Sequence, residues 1–226
     1  MLIRDWMTKE VLSVTPDTSM MKASKILKEH DISRLPVVDA NNRVVGIVSD
    51  RDIKEASPSK ATSLDVHELY YLLSEIKVKD IMTVDPVCAK PLDTVENAAV
   101  IMIGKKIGGM PVVDDNNVLQ GIITDSDIFE VLITITGVRY GGVQFAFELP
   151  NTPGTLKPIV DNLREYNARI ISILTSMEGP EKNKESRVVN IRIMPMDRTT
   201  ENKIIEDLKS KHKMLFWARD HVHTVA

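Results

Sequence analysis

The sequence predicts an α+β chain in three parts: two copies of one helix–strand–strand–helix unit, then a separate βαββαβ unit. Three observations carry this. Residues 3–53 align without a gap on residues 78–128 at a constant offset of 75, with 18 of 51 positions identical. Within each copy, the apolar spacing switches from helical to strand-like at matching places. After Gly137 the composition changes, and six of the ten aromatic residues lie beyond it. The parts are bounded as 1–56 and 77–136 for the two copies, 57–76 between them, and 143–226 for the last unit.

In each copy an extended lead-in precedes a helix. Met20, Ala23 and Leu27 share one helical face, as do Val95, Ala98 and Met102. Thr18 and Asp93 are the expected N-caps, and Glu96 completes a capping-box pattern with Asp93. Strands are expected at 35–39 and 43–49, and again at 110–114 and 118–124. Ala40-Asn41-Asn42 and Asp115-Asn116-Asn117 join them, because Asn and Asp tolerate the positive φ of tight turns. Pro36 and Pro111 open their strands, where a missing amide donor is tolerated. A second helix starts near Asp50 and near Asp125. Two such one-sided units should pack as a pseudo-twofold pair. Between them, residues 57–64 read as a loop. Val66, Leu69, Tyr70, Leu73 and Ile76 then make an amphipathic helix, for packing the copies together or for docking a partner.

The last unit begins after a short linker, Gly137 to Gly142. Val143, Phe145, Phe147 and Leu149 alternate as in a half-buried strand. Asn151-Thr152-Pro153-Gly154 turns into a helix carrying Leu156, Ile159, Val160 and Leu163 on one face, with Pro158 in its first turn. Two β-rich runs, 169–177 and 187–194, flank a polar loop. A helix over 200–211 and a strand over 213–218 complete the ferredoxin-like order.

Bulk composition narrows the function classes. The chain has 226 residues and a net charge of −3, which argues against a broad polyphosphate-binding surface. Ten aromatics are too few for base-stacking platforms, so nucleic acid is not the expected partner. The single Cys88 forbids an internal disulfide, and a buried, inert thiol is the plain reading. No apolar run approaches the length of a membrane span, and residues 1–10 do not read as a signal peptide. A cytoplasmic location is expected. There is no P-loop, dinucleotide glycine fingerprint, zinc-protease helix or nucleophile elbow, and no nucleophile–base pair. The chain is therefore expected to be no enzyme, with no catalytic cofactor and no metal. His221 and His223 are expected in a frayed polar tail.

The informative motif ends each copy: Gly46-Ile47-Val48-Ser49-Asp50-Arg51-Asp52 and Gly121-Ile122-Ile123-Thr124-Asp125-Ser126-Asp127. A hydroxyl ends a strand, and a carboxylate follows three residues later on the first turn of a helix. Two readings are open from the residues alone. Ser49 and Thr124 simply cap their helices. Alternatively the hydroxyl and helix N-terminus offer donors to a phosphate, and the carboxylate accepts from the two ribose hydroxyls.

The gapless repeat, the strands Leu35-Pro36-Val37 and Met110-Pro111-Val112, and the Gly-x-x-[Ser/Thr]-x-x-Asp ends together resemble a CBS domain pair, over residues 1–136 or so. The resemblance implies clefts that bind adenosine-containing ligands: AMP, ADP, ATP or S-adenosylmethionine. By that resemblance Ser49 and Thr124 would contact phosphate, and Asp52 and Asp127 the ribose. Residues around Arg34-Leu35-Pro36 and Gly109-Met110-Pro111 would flank the adenine, and Thr15-Pro16 and Lys90-Pro91 would close the pockets. Arg51 faces Ser126 across the repeat, so the two sites are expected to be unequal, the Arg51 site preferring more phosphate.

The segment ELPNTPGTLKPIVDNLREYNARI resembles the ACT domain, over about 143–218. That implies an amino-acid site at its turn, carried by Asn151, Gly154 and Leu156, with Asn151 standing where Asp is more usual. The combination resembles the bacterial acetoin-utilisation CBS–ACT proteins. It implies a homodimeric regulatory sensor that shifts between conformations on binding and is read by a partner protein. A regulatory subunit of an enzyme whose catalytic chain is separate, and a structural dimerisation module with empty clefts, are the alternatives.

Overall fold

The computed structural model describes residues 1–57, 75–177, 185–219 and 222–224, the last as backbone only. Most of the helix expected over 66–76, and the loop 178–184, lie outside the described residues. The described chain forms two compact units, Met1–Phe129 and Glu130–Ala226.

In the first unit the repeat is realised element by element. Copy one contains α1 (Met20–Glu29), β1 (Arg34–Val38), β2 (Val44–Ser49) and α2 (Asp50–Ala56). The lead-in of copy two contributes a four-residue helical turn, α3 (Val78–Ile81), and β3 (Thr83–Val84). Then follow α4 (Val95–Lys105), β4 (Gly109–Val113), β5 (Leu119–Thr124) and α5 (Asp125–Thr136), which runs across the division between units. Met20, Ala23, Leu27, Val95, Ala98 and Met102 are all buried, as their spacing predicts.

The N-caps fall one residue later than expected. Ser19 and Thr94 accept from the backbone amides of Lys22 and Asn97. Thr18 and Asp93 instead accept from the amides of Thr15 and Lys90, three residues upstream, and so shape the lead-in turn. Both hairpin turns do use positive φ, at Asn42 (59°) and Asn117 (63°). Asp39 Oδ1 gathers the amides of Asn41 and Arg43, and Asp114 Oδ1 those of Asn116 and Val118. Pro36 and Pro111 sit inside their strands, where their carbonyls, which need no N–H, accept from Val14 and Ala89 of the lead-ins.

The lead-ins are exchanged between copies. Ile3 and Arg4 donate to the carbonyls of Asp93 and Pro91, and Thr8 bridges Ile122. At the same offset, Val78 and Lys79 donate to Thr18 and Pro16, and Thr83 pairs with Ile47. Gly121 and Gly46 let these segments lie close, since a Cβ on either would meet the Met7 or Met82 sulfur at 2.6 or 2.5 Å. The hairpin tips also join: Val44 donates to Asn117, and Leu119 to Asn42, both at 3.0 Å. Val38, Val44 and Val113 form a small core there, with Leu119 and Cys88 packed on it. Burial pushes the Cys88 thiol pKa up, consistent with a packed, unreactive group.

The second unit holds β6 (Gln144–Pro150), α6 (Lys157–Glu165), β7 (Ile170–Thr175), β8 (Ser186–Ile193), α7 (Arg198–Lys211), β9 (Met214–Ala218) and β10 (Val222–Thr224). The sheet order β10-β9-β6-β8-β7 contains the ferredoxin-like arrangement, all antiparallel. Phe145, Phe147, Ile159, Leu163, Ile191, Ile204 and Leu208 fill its core. The tail is not frayed at 222–224, which pair with β9 and cover its otherwise open edge. The side chains of His221 and His223 lie outside the described residues. The linker is tied to the sheet: Ser172 Oγ donates to the Thr136 carbonyl and Arg192 to that of Gly141.

Candidate functional site

Ser49 and Thr124 each end a strand and begin a helix. Asp52 Oδ2 accepts from the Ser49 amide at 2.7 Å and its hydroxyl at 2.6 Å. Asp127 Oδ2 takes the same pair from Thr124, both at 2.7 Å. The amides of Asp52 and Asp127 return bonds to the hydroxyls. The capping reading is thus realised in both copies, and it fixes each carboxylate beside its hydroxyl. Across the hairpins Ser49 pairs with Arg34, and Thr124 with Gly109.

A cleft of about 250 Å³ draws on both copies. Its walls are Thr8, Glu10, Val11 and Leu12 of the first lead-in, Asp31 to Arg34 before and at the start of β1, and Ile122, Thr124 and Ser126 from the end of β5. Of the residues named from sequence, Arg34 and Thr124 line it, with Asp127 bonded directly behind Thr124. Ser49, Asp52 and Gly109 occupy the matching positions at the other copy's strand end and hairpin.

The remaining residues lie elsewhere. Leu35 and Met110 are fully buried core. Thr15 bonds Thr18, and Pro16 and Pro91 hold the exchanged lead-ins through their carbonyls. Lys90 Nζ is bound to the Asp114 carbonyl and 3.4 Å from Asp115. Arg51 is 83% exposed and bonded to Glu55 on its own helix, which raises its pKa further. The reason is direction. The lead-in runs parallel to β1 with Val14 beside Val37, so Thr15 and Pro16 travel toward the hairpin tip. Residues 8–12 lie at the Arg34 end instead. Sequence reasoning missed Glu10 and Asp31 because neither belongs to the repeated motif.

Arg34 reaches into the second copy. A Cβ on Gly108 would lie 2.5 Å from its Nη2, and one on Gly109 2.9 Å from its Cδ. Its side chain is 17% exposed, and its nearest carboxylate is Asp125, at 3.8 Å. On the first copy Asp50 is held below the usual carboxylate range, chiefly by its hydrogen bond from Lys54 and with a small contribution from the Arg34 charge. A larger opening, about 470 Å³, lies between α1 and α2 and reaches Ser57. No group of three or more potential metal ligands occurs among the described residues. No helix among them is long and apolar enough to cross a membrane.

In the second unit the turn residues are fixed by backbone conformation, one core contact and a main-chain bond. Gly154 takes φ +84°, Leu156 packs on the core, and the Asn151 amide donates to the Glu185 carbonyl. No side chain caps α6; the Thr155 hydroxyl turns back to the carbonyls of Pro150 and Thr152. A shallow cavity of about 340 Å³ lies nearby, between Glu148, Pro150, Glu185 and Lys213.

The sequence profile of the CBS domain matches residues 3–59 and 78–134, together half of the chain. The chain belongs to the CBS domain family. It is 34% identical over 134 residues to a CBS domain-containing protein of Dictyostelium discoideum, covering 59% of this chain and 92% of that one. It is 37% identical over 122 residues to inosine-5′-monophosphate dehydrogenase of Methanocaldococcus jannaschii, covering 54% of this chain but 22% of that enzyme. Among solved structures, the CBS-pair protein CBSX2 of Arabidopsis thaliana in complex with AMP has a TM-score of 0.50 and 32% identity, over 60% of this chain and 98% of that one. A Vibrio cholerae protein assigned to acetoin utilisation, AcuB, has a TM-score of 0.51 and 30% identity, over 62% and 95%. The paired CBS fold accounts for the first unit.

Proposed function

We propose that this chain is a non-catalytic regulatory sensor whose CBS pair binds an adenosine-containing ligand between its copies. The observation that carries this is the cleft itself. Thr124 and Arg34 come from different copies and line the same cleft, so a ligand that contacts both favours one arrangement of the pair. The AMP complex of CBSX2 supports the ligand class. Thr124 gives its hydroxyl proton to Asp127 and so positions that carboxylate, which keeps a second oxygen for a ribose. Isothermal titration with adenosine, AMP and ATP tests the reading. Binding should weaken about tenfold or more in Asp127→Asn, the loss of a charged acceptor. Absence of binding by all three would leave the structural-module alternative.

The second unit we read as an ACT domain, supported by its strand order and by the Asn-x-Pro-Gly turn between β6 and α6. A thermal shift with an amino acid, lost in Gly154→Val, is the expected result.

The chain is also proposed to pair with a second copy. Val100, Ile103 and Phe129 are more than 60% exposed, whereas copy one has Lys25, Lys28 and Lys54 at those positions. An exposed apolar face on one copy alone marks a contact surface. Sedimentation should show a dimer that Ile103→Lys converts to monomer.

A further inference from the structure

We infer that Asp125 is a built-in competitor for the phosphate of a nucleotide: its ion pair with Arg34 spans the two copies and must open before an anionic ligand takes the guanidinium. This rests on the adenosine reading above. Arg34 is the one cationic side chain among the described residues that line the cleft, so a phosphate entering there is drawn to it. Its Nη1 lies 3.8 Å from Asp125 Oδ1, and the guanidinium makes no hydrogen bond among the described residues. At that distance the pair has charge attraction without a hydrogen bond, and Asp125 is 54% exposed, so the contact is weak and exchangeable. A phosphate oxygen that accepts directly from the guanidinium makes a stronger bond. Packing holds the guanidinium ready for that exchange. Its side chain lies against Gly108 and Gly109, where a Cβ would come within 2.5 Å of Nη2 and 2.9 Å of Cδ.

The repeat shows why Asp125 takes its cation from the other copy. Asp50 and Asp125 are mates at the offset of 75. Each donates its amide to the residue before the first strand of its hairpin, Asp50 to Ser33 at 2.9 Å and Asp125 to Gly108 at 3.0 Å. Asp50 is paired within its own helix with Lys54, at 2.6 Å. The mate of Lys54 is Phe129, which carries no charge, and Asp125 is left with Arg34. The mate of Arg34 is Gly109, so copy two sends no matching cation to Asp50. One guanidinium therefore serves two anions in turn, the carboxylate without ligand and the phosphate with it. Its transfer removes a charge contact between the copies, which an unphosphorylated adenosine leaves in place.

Isothermal titration of the full chain with AMP and adenosine tests the exchange. Asp125→Asn keeps the shape and removes the charge, and it should tighten AMP about two- to fivefold while leaving adenosine unchanged. Arg34→Met should remove the advantage of AMP over adenosine, a loss of about tenfold or more. In the Arg34→Met background, Asp125→Asn should give no further gain for AMP. An unchanged or weaker AMP affinity in Asp125→Asn, with adenosine still bound, would overturn the competition. So would an equal gain with and without Arg34, the mark of general repulsion between Asp125 and the phosphate. Failure of the wild type to bind either ligand would overturn the adenosine reading itself.

Discussion

At the scale of single residues, the motif aspartates serve the fold before any ligand arrives. Removing the Asp127 or Asp52 carboxylate takes two acceptor bonds from a helix start, so each Asp→Ala variant should cost about 0.5–2 kcal/mol in urea unfolding without ligand. A variant with undiminished stability would show that the carboxylates are not structural. The residues alone left capping and binding open because both use the same atoms. A second residue, His212, gives a pH dependence. It packs edge-on to Phe147, and burial, then the Lys211 charge, hold its imidazole below the ordinary 6.5. As pH falls through 6.5 the unfolded chain takes up a proton that the folded chain still refuses, so stability is lost on acidification. Unfolding at pH 7.5 and 5.5 should show a smaller pH effect in His212→Asn than in wild type. An equal slope would remove His212 as the cause.

At the scale of elements, the paired strands, their turns and the helix faces were legible because apolar spacing and Asn-rich turns are local signals. The lead-ins were not. Their partners lie on the other copy, and nothing in residues 3–8 names Ile122 or Asp93. The shift of the N-caps to Ser19 and Thr94 has the same origin, since Thr18 and Asp93 were claimed by the lead-in turn. The exchange predicts an asymmetric truncation effect. Deleting residues 1–8 should raise hydrogen exchange in β5, at Leu119–Thr124, more than in β2 of the copy from which the residues were removed. The reverse order would contradict the observed docking. Within the second unit the entry to β6 is equally constrained: a Cβ on Gly142, at φ +76°, would sit 1.9 Å from the Ile193 carbonyl oxygen. Gly142→Ala should therefore destabilise by at least about 1–3 kcal/mol, visible as a lower melting temperature.

At the scale of the whole molecule, the sequence offset of 75 becomes a spatial near-symmetry in which each copy completes the other. Thr8 bridges Ile122 as Thr83 pairs with Ile47, and the hairpin tips donate to each other's turns. Neither copy closes its own sheet, so a ligand cannot stabilise one and leave the other untouched. The cleft makes the same demand, because Asp31 and Arg34 come from copy one while Ile122, Thr124 and Ser126 come from copy two. Saturation at 100 times the dissociation constant should stabilise the pair by about 2.7 kcal/mol. Hydrogen exchange with and without the adenosine ligand should then slow in both hairpins, β1–β2 and β4–β5, to a similar degree. Protection confined to β4–β5 would mean that the ligand reads one copy alone. The cross-copy wall of the cleft would then be incidental to binding, and the chain could not convert occupancy into a change in how the two copies are held.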